Sequence, residues 1–189
     1  MTDLLLNNIN VFTKIALENL ELARTQRHQA RSAKSVDEHV ASIMQSRQCA
    51  MVAIVFSAFT LEAYINNYAA RKRSNAFFKE HLDNLDFVSK WVVISELFTG
   101  RRFPKDKQCY QNLEELKKLR NELVHSKSKT VQLEDEVEMK KVGDDVYSMI
   151  NSAEKAVETI FMVIKCLVEI DPEEKQYLSR FAAELSRKQ

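Results

Sequence analysis

The sequence predicts an all-α fold, a bundle of five to six helices. Three observations predict the helices. The 189 residues include only 2 glycines and 2 prolines. Apolar residues recur at three- and four-residue steps over long stretches, and the alternating pattern of strands is almost absent. A chain of this length buries a core of its own, so we expect a single domain over residues 1–189 with its core at about 36–170.

The first predicted helix spans about residues 3–27. Its apolar face repeats at helical spacing, through Leu5, Ile9, Phe12, Ala16, Leu20 and Ala23. A basic, polar region follows over residues 24–34. Two interpretations of that region stay open, a solvated surface and a contact with RNA backbone.

The second predicted helix starts at Ser35, which with Glu38 forms the pattern of a capping box. It extends to about Arg73 and is apolar nearly all round between Cys49 and Leu61. That composition is typical of the central helix of a bundle. The basic residues at its end favour the helix dipole, and phosphate contact is the alternative.

An aromatic segment over residues 77–98 forms the third predicted helix and is interpreted as core or dimer interface. Gly100 and Pro104 end it. The loop that they enclose is densely basic, and we take Arg101, Arg102 and Lys105 as candidate RNA contacts, together with Lys127.

Three helices complete the prediction, at about 107–126, 145–170 and 172–187. The polar stretch over residues 127–145 is predicted to be a loop or short hairpin. The last helix is expected to start with Asp171 as N-cap and Pro172 at its first position.

Composition and charge narrow the function classes. The net charge is +1, but residues 60–130 carry 14 basic and 9 acidic side chains, whereas residues 131–189 carry 8 and 13. The excess of positive charge over residues 60–130 suits a polyanionic ligand. The alternative is that these charges belong to ordinary solvated helix faces. Three scattered cysteines are typical of reduced intracellular thiols. No metal-ligand spacing, phosphate-binding glycine loop, signal peptide or run of 18 apolar residues is found, so a cytoplasmic location is predicted.

The most informative stretch is LEELKKLRNELVHS, residues 113–126. On a helix, one apolar stripe forms from Leu113, Leu116, Leu119, Leu123 and Val124. Arg120 falls within that stripe, where a guanidinium costs several kcal/mol unless a partner compensates it. Asn121 and His125 lie one turn apart on the flank of the stripe. Glu62, on the second helix, is the expected partner of Arg120, and a solvent-facing Glu62 is the alternative.

The unit Arg120-Asn121-Glu122-Leu123-Val124-His125 resembles the Arg-x4–6-His signature of HEPN domains. The upstream stretch FSAFTLEAYIN, residues 56–66, is similar to the helix that faces this signature in the family. Together the two stretches cover about residues 41–126. The residues after His125, Ser126-Lys127-Ser128, lack the tyrosine that a nucleotidyltransferase antitoxin modifies in some HEPN toxins.

The resemblance implies a HEPN-like helical bundle that acts as a metal-independent endoribonuclease with no cofactor, in which a homodimer brings two motifs together over RNA. A role as a toxin or phage-defence effector is part of the same expectation. It assigns His125 as acid or base, Arg120 to the scissile phosphate and Asn121 to positioning, with Glu62 and Asn66 in support. An antitoxin or defence-system protein is a further expected partner, and no membrane is expected. Two alternatives stay open: a HEPN-like domain that binds RNA, nucleotide or protein without cleaving, and a helical scaffold in which Arg120–Glu62 is only an ion pair.

Overall fold

The computed structural model describes residues 8–125 and 136–179 of the chain. It contains six α-helices: α1 Asn8–Arg31, α2 Val36–Lys72, α3 Asn75–His81, α4 Phe87–Thr99, α5 Gln108–His125 and α6 Glu136–Ile170. A 3₁₀ turn, Pro172–Glu174, follows α6, and residues 175–179 are helical. No strand occurs in these two ranges, and the predicted all-α fold is confirmed.

The central helix of the bundle is α2, because its buried residues face neighbours on most sides. Its start agrees with the prediction: Ser35 Oγ accepts a hydrogen bond from Glu38 N at 3.2 Å. The helix α1 packs antiparallel to it. Thr13 Oγ1 lies 3.4 Å from Thr60 Oγ1, and nearer the other end of the pair Ser46 Oγ donates to the carbonyl of Ala23 at 2.7 Å.

One helix, α2, is long and apolar enough to cross a membrane by length and composition alone. Half of its most apolar 18-residue window is buried inside the bundle. The core position of α2 accounts for that composition, because a helix surrounded by other helices needs apolar residues on most of its faces. That the chain does not span a membrane stays a prediction.

The helices α5 and α6 run antiparallel and are joined by a disulfide between Cys109 and Cys166. Further along the same pair, Lys155 Nζ of α6 makes an ion pair with Glu115 of α5. The prediction of reduced thiols is therefore wrong for these two cysteines, whereas Cys49 is free. The paired cysteines are 57 positions apart in the sequence, and only the packing of two helix faces brings them together, so no local pattern could predict the bond.

Two predicted boundaries are wrong. The aromatic segment 77–98 is two helices, because Asp86 Oδ1 accepts hydrogen bonds from Val88 N and Ser89 N and so starts α4 afresh. The predicted loop over 127–145 is helical from residue 136 onward; its residues 127–135, and therefore Lys127, lie outside the described ranges. Four of the polar residues that suggested a loop, Lys140, Lys141, Asp144 and Asp145, are exposed on α6. Gly100 ends α4 as predicted, with φ at 67° and its N–H donating to the carbonyl of Glu96.

The turn after α6 is bonded to the end of α2. Asp171 lies at the N-cap position with Pro172 after it, as predicted, but it starts a 3₁₀ turn and its side chain makes no capping bond. Its carboxylate accepts a hydrogen bond from Tyr68 Oη at 2.7 Å and pairs with Lys72 at 2.8 Å. Glu174 accepts two bonds from the guanidinium of Arg71, both at 2.8 Å. These contacts occupy Arg71 and Lys72 within the chain, which argues against their alternative role as phosphate contacts. We call this set the C-terminal clamp.

Candidate functional site

The apolar stripe of α5 positions Arg120. Leu113 and Leu116 are buried, and Leu119 and Leu123 are partly buried against the core. Val124 departs from the prediction, because its side chain is 71% exposed. The stripe of α5 is therefore buried in its first half and more exposed toward its end, where Val124 faces solvent.

Arg120 pairs with Glu62 as predicted. Its Nη1 lies 3.5 Å from Glu62 Oε2, and its Nη2 donates to Asn121 Oδ1 at 3.4 Å. The Arg120 side chain is 27% exposed, so it is half-buried. The guanidinium carbon also lies 5.8 Å from the centroid of the Phe87 ring, on α4. Both polar contacts are long for charge-assisted bonds, and the remaining N–H groups of the guanidinium are not used by them.

A second cation, Lys90 of α4, shares the carboxylate of Glu62. Lys90 Nζ lies 3.0 Å from Glu62 Oε1, and its side chain is only 4% exposed. The sequence analysis did not identify Lys90. A signal was present, since it is a single lysine inside the apolar run FVSKWVVI, and a lysine on a buried helix face requires an anionic partner.

Asn121 and His125 meet in a shallow groove of about 400 Å³ along the outer side of α5. The other lining side chains are charged: Glu114, Lys117, Lys118 and Glu122. Arg120 is not part of this groove. It lies five residues before His125, which turns the two side chains about 140° apart around the helix axis. Within one chain the structure thus pairs Arg120 with Glu62 and places Asn121 and His125 along one groove, but it does not bring Arg120 and His125 to one point.

His125 itself is exposed, and no side chain in the described ranges hydrogen-bonds its imidazole. The other three histidines, His28, His39 and His81, are also exposed. Asn66, predicted to support the motif, has a buried Oδ1 without a hydrogen-bond partner among the described residues. No printed contact there links it to the motif.

The basic loop lies at the wrong end of α5 to assist His125. Arg101, Arg102 and Lys105 are exposed, as required of a nucleic-acid contact. They precede the start of α5, however, whereas His125 is its last residue. At 1.5 Å per residue, the 18 residues of the helix separate the two by roughly 25 Å. Sequence proximity to the motif was misleading here because a straight helix intervenes.

Metal ligands and known relatives give no further assignment. In residues 8–125 and 136–179, no cluster of three or more His, Cys, Asp or Glu side chains is placed to hold a metal ion. The chain matches no protein-family model, no curated protein and no solved structure.

Proposed function

We propose that this protein is a metal-independent endoribonuclease of HEPN type, whose active site is completed by a second copy of the chain. The observation that carries the proposal is the Glu62–Arg120 pair, which holds a half-buried guanidinium beside Asn121 on the helix that ends in exposed His125. A role as a toxin or phage-defence effector belongs to the same proposal and rests on the family resemblance alone.

The guanidinium of Arg120 has donors beyond those that Glu62 and Asn121 use. Lys90 and Arg120 share the carboxylate of Glu62, and Lys90 also pairs with Asp83 at 3.9 Å. The contact of Arg120 with Glu62 is long, at 3.5 Å, and the Arg120 side chain is 27% exposed. A phosphate that reaches this exposed part can accept two parallel hydrogen bonds from the planar guanidinium.

The reaction assigned to His125 is attack by the 2′-oxygen of RNA on the adjacent phosphorus. The 2′-hydroxyl proton passes to a base, the P–O5′ bond breaks, and an acid protonates the leaving 5′-oxygen. The products are a 2′,3′-cyclic phosphate and a 5′-hydroxyl. Histidine serves in either proton-transfer role near neutral pH. One chain offers one His125, so two copies of the chain supply both roles.

A second candidate, an RNA-binding protein that does not cleave, is favoured by one observation. The carboxamide oxygen of Asn121 accepts from Arg120 and is not turned to the imidazole. His125 then lacks the orienting hydrogen bond that a catalytic histidine usually has. This candidate keeps the phosphate-binding role of Arg120 and removes the acid–base role of His125.

Cleavage of labelled single-stranded RNA in EDTA separates the two candidates. We expect His125→Ala to lower the rate about 10²–10⁴-fold and Arg120→Ala to lower it about 10²–10³-fold. His81→Ala, which removes another exposed histidine, is the matched control and should cleave like the wild type. An RNA with 2′-deoxy sugars should resist cleavage, because it lacks the nucleophile.

The outcomes of this experiment are distinct. A wild type that cleaves no faster than His125→Ala contradicts the ribonuclease proposal. If that wild type still binds RNA and Arg120→Ala does not, the binding candidate is supported. If Arg120→Ala unfolds while His125→Ala changes neither folding nor binding, the pair serves only as a structural ion pair.

A further inference from the structure

A small pocket opens between α1, α2 and α6, away from the motif groove. Its volume is about 140 Å³. Its polar wall is formed by Arg27 and Arg31 of α1, His39 of α2 and Tyr147 of α6. Its base is apolar, and there Ala30 and Val146 are buried. We call it the Arg27 pocket.

The two arginines of this pocket lack the acidic partner that their neighbour on α1 has. Arg24, one turn before, is paired with both Glu154 and Glu21. No carboxylate in the described ranges makes an ion pair with Arg27 or Arg31. The guanidinium carbon of Arg27 lies 3.9 Å from the centroid of the Tyr147 ring, so the ring covers one face of the group. Stacking of this kind leaves the N–H groups along the edge able to bind a planar or tetrahedral oxyanion.

The third polar group of the pocket is also fixed in place. His39 Nδ1 lies 2.8 Å from the carbonyl oxygen of Ala30, so this nitrogen carries the hydrogen that is donated. The ring is thereby oriented by the end of α1. Nε2 of the neutral ring is then an acceptor, so the donors for an anion in this pocket are those of the arginines.

Gly143 keeps the α6 side of the pocket open. Glycine inside a helix costs about 0.5–1 kcal/mol relative to alanine. Packing does not demand it, because a Cβ built at Gly143 meets no atom within 4 Å. Gly143→Ala should therefore leave the fold intact, whereas a leucine, whose branched end projects further from this lining position, should narrow the pocket.

The pocket lies at the same end of the bundle as His125. The Glu115–Lys155 ion pair sets the two antiparallel helices in register. From this pair, His125 lies ten residues along α5 and Tyr147 eight residues along α6, which at 1.5 Å per residue is about 15 and 12 Å toward the same end. The basic loop before α5 lies at the opposite end.

We propose that the Arg27 pocket binds one phosphate of the RNA backbone, on a strand that continues to His125. The RNA ligand rests on the proposed function; the phosphate chemistry rests on the pocket itself. Its volume favours a single phosphate group, because sites for whole small molecules usually enclose about 300–1,000 Å³. Arg27 and Arg31 supply the positive charge, and the guanidinium of Arg27 supplies two parallel N–H donors.

Fluorescence anisotropy with a labelled 5′-hydroxyl RNA oligonucleotide tests this proposal, with the non-cleaving His125→Ala background preventing turnover. We expect Arg27→Gln with Arg31→Gln to raise Kd about tenfold or more at low salt, and to reduce the slope of log Kd against log salt by about 0.7 for the lost phosphate contact. Gly143→Leu, which keeps both arginines, should also weaken binding, whereas Gly143→Ala should not. A single-stranded DNA of the same sequence should lose affinity to the same extent, because a phosphate contact does not distinguish the sugars.

The matched control is Lys79→Gln with Lys165→Gln, which removes two exposed positive charges elsewhere. Equal Kd values for the control pair and the Arg27 and Arg31 pair would overturn the pocket proposal, as would a Gly143→Leu protein that binds like Gly143→Ala. Absence of any RNA binding by the parent protein would overturn it as well. Failure of the ribonuclease proposal looks different: the wild type then fails to cleave, while the pocket variants still weaken RNA binding.

Discussion

The buried ammonium of Lys90 lies 3.0 Å from Glu62 Oε1, closer than Arg120 Nη1 lies to the other oxygen of the same carboxylate. Lys90 therefore holds Glu62 in place from α4, and Arg120 contacts a carboxylate that is already anchored. The position of the proposed catalytic arginine depends on three helices, α2, α4 and α5.

Removing Lys90 should destabilise the fold by more than a surface lysine does. We expect a coupling free energy between Lys90→Met and Glu62→Gln of about 1–3 kcal/mol, because Lys90 is almost fully buried and Glu62 only partly so. Urea unfolding of the two single variants and the double variant measures it. Lys117→Met, which removes a more exposed lysine paired with Asp86, should cost less than about 1 kcal/mol. If the losses of unfolding free energy in the two single variants simply add up in the double variant, the two side chains are not coupled and the proposed sharing of the Glu62 carboxylate is contradicted.

The disulfide predicts a stability that depends on reductant. A cross-link between residues 57 positions apart lowers the entropy of the unfolded chain, which raises the free energy of unfolding by up to about 4 kcal/mol in the chain-entropy model. Dithiothreitol should therefore lower the melting temperature of the wild type and leave that of Cys109→Ser unchanged. Thiol titration of the denatured, unreduced wild type should find one reactive cysteine, Cys49. Three reactive thiols before reduction would show that the bond is absent.

The C-terminal clamp predicts a loss of stability in acid. Burial raises the pKa of Asp171, but hydrogen bonds from Lys72 and Tyr68 outweigh it, and the pKa lies below its ordinary value of 3.8. A depressed folded-state pKa contributes stability above the unfolded pKa and loses it as pH falls through the folded one. At pH 7 we expect Asp171→Asn to be about 1–2 kcal/mol less stable than the wild type. Urea unfolding should show this difference narrowing from pH 5 to pH 3; a difference independent of pH would contradict it.

A composite site requires a dimer that brings two motif helices together. Val124 is 71% exposed and directly precedes His125, so we expect the partner chain to cover it. Light scattering at tens of micromolar should give the dimer mass for the wild type and a lower mass for Val124→Asp, with RNA cleavage lost in parallel. Val11→Asp, which changes another exposed valine at 54% exposure, is the comparison. A monomeric wild type at that concentration would count heavily against the composite site.

The sequence predicted the helices well wherever one local signal was sufficient. Ser35 and Gly100 mark their helix ends because capping depends on a few neighbouring residues. The Arg120–Glu62 pair was predicted because a charge on an apolar stripe needs an anion, and the upstream helix offered one.

Other features depended on packing that no local pattern contains. Lys90 was missed because its partner lies 28 residues away, across a turn between helices. The Arg27 pocket requires three helices to meet, and the sequence showed only a basic stretch at the end of one of them. The basic loop at residues 101–105 is close to the motif in sequence, but α5 lies between them and separates them in space.

The C-terminal clamp makes the short segment beyond Ile170 a structural part of the bundle. A chain cut at Ile170 would leave the hydroxyl of Tyr68 without the acceptor it has now, and would strip Arg71 and Lys72 of their counterions. Truncations and fusions at that end therefore act on the C-terminal end of α2. If a shortened protein precipitates, the loss of these contacts with α2 explains it before any loss of enzymatic function does.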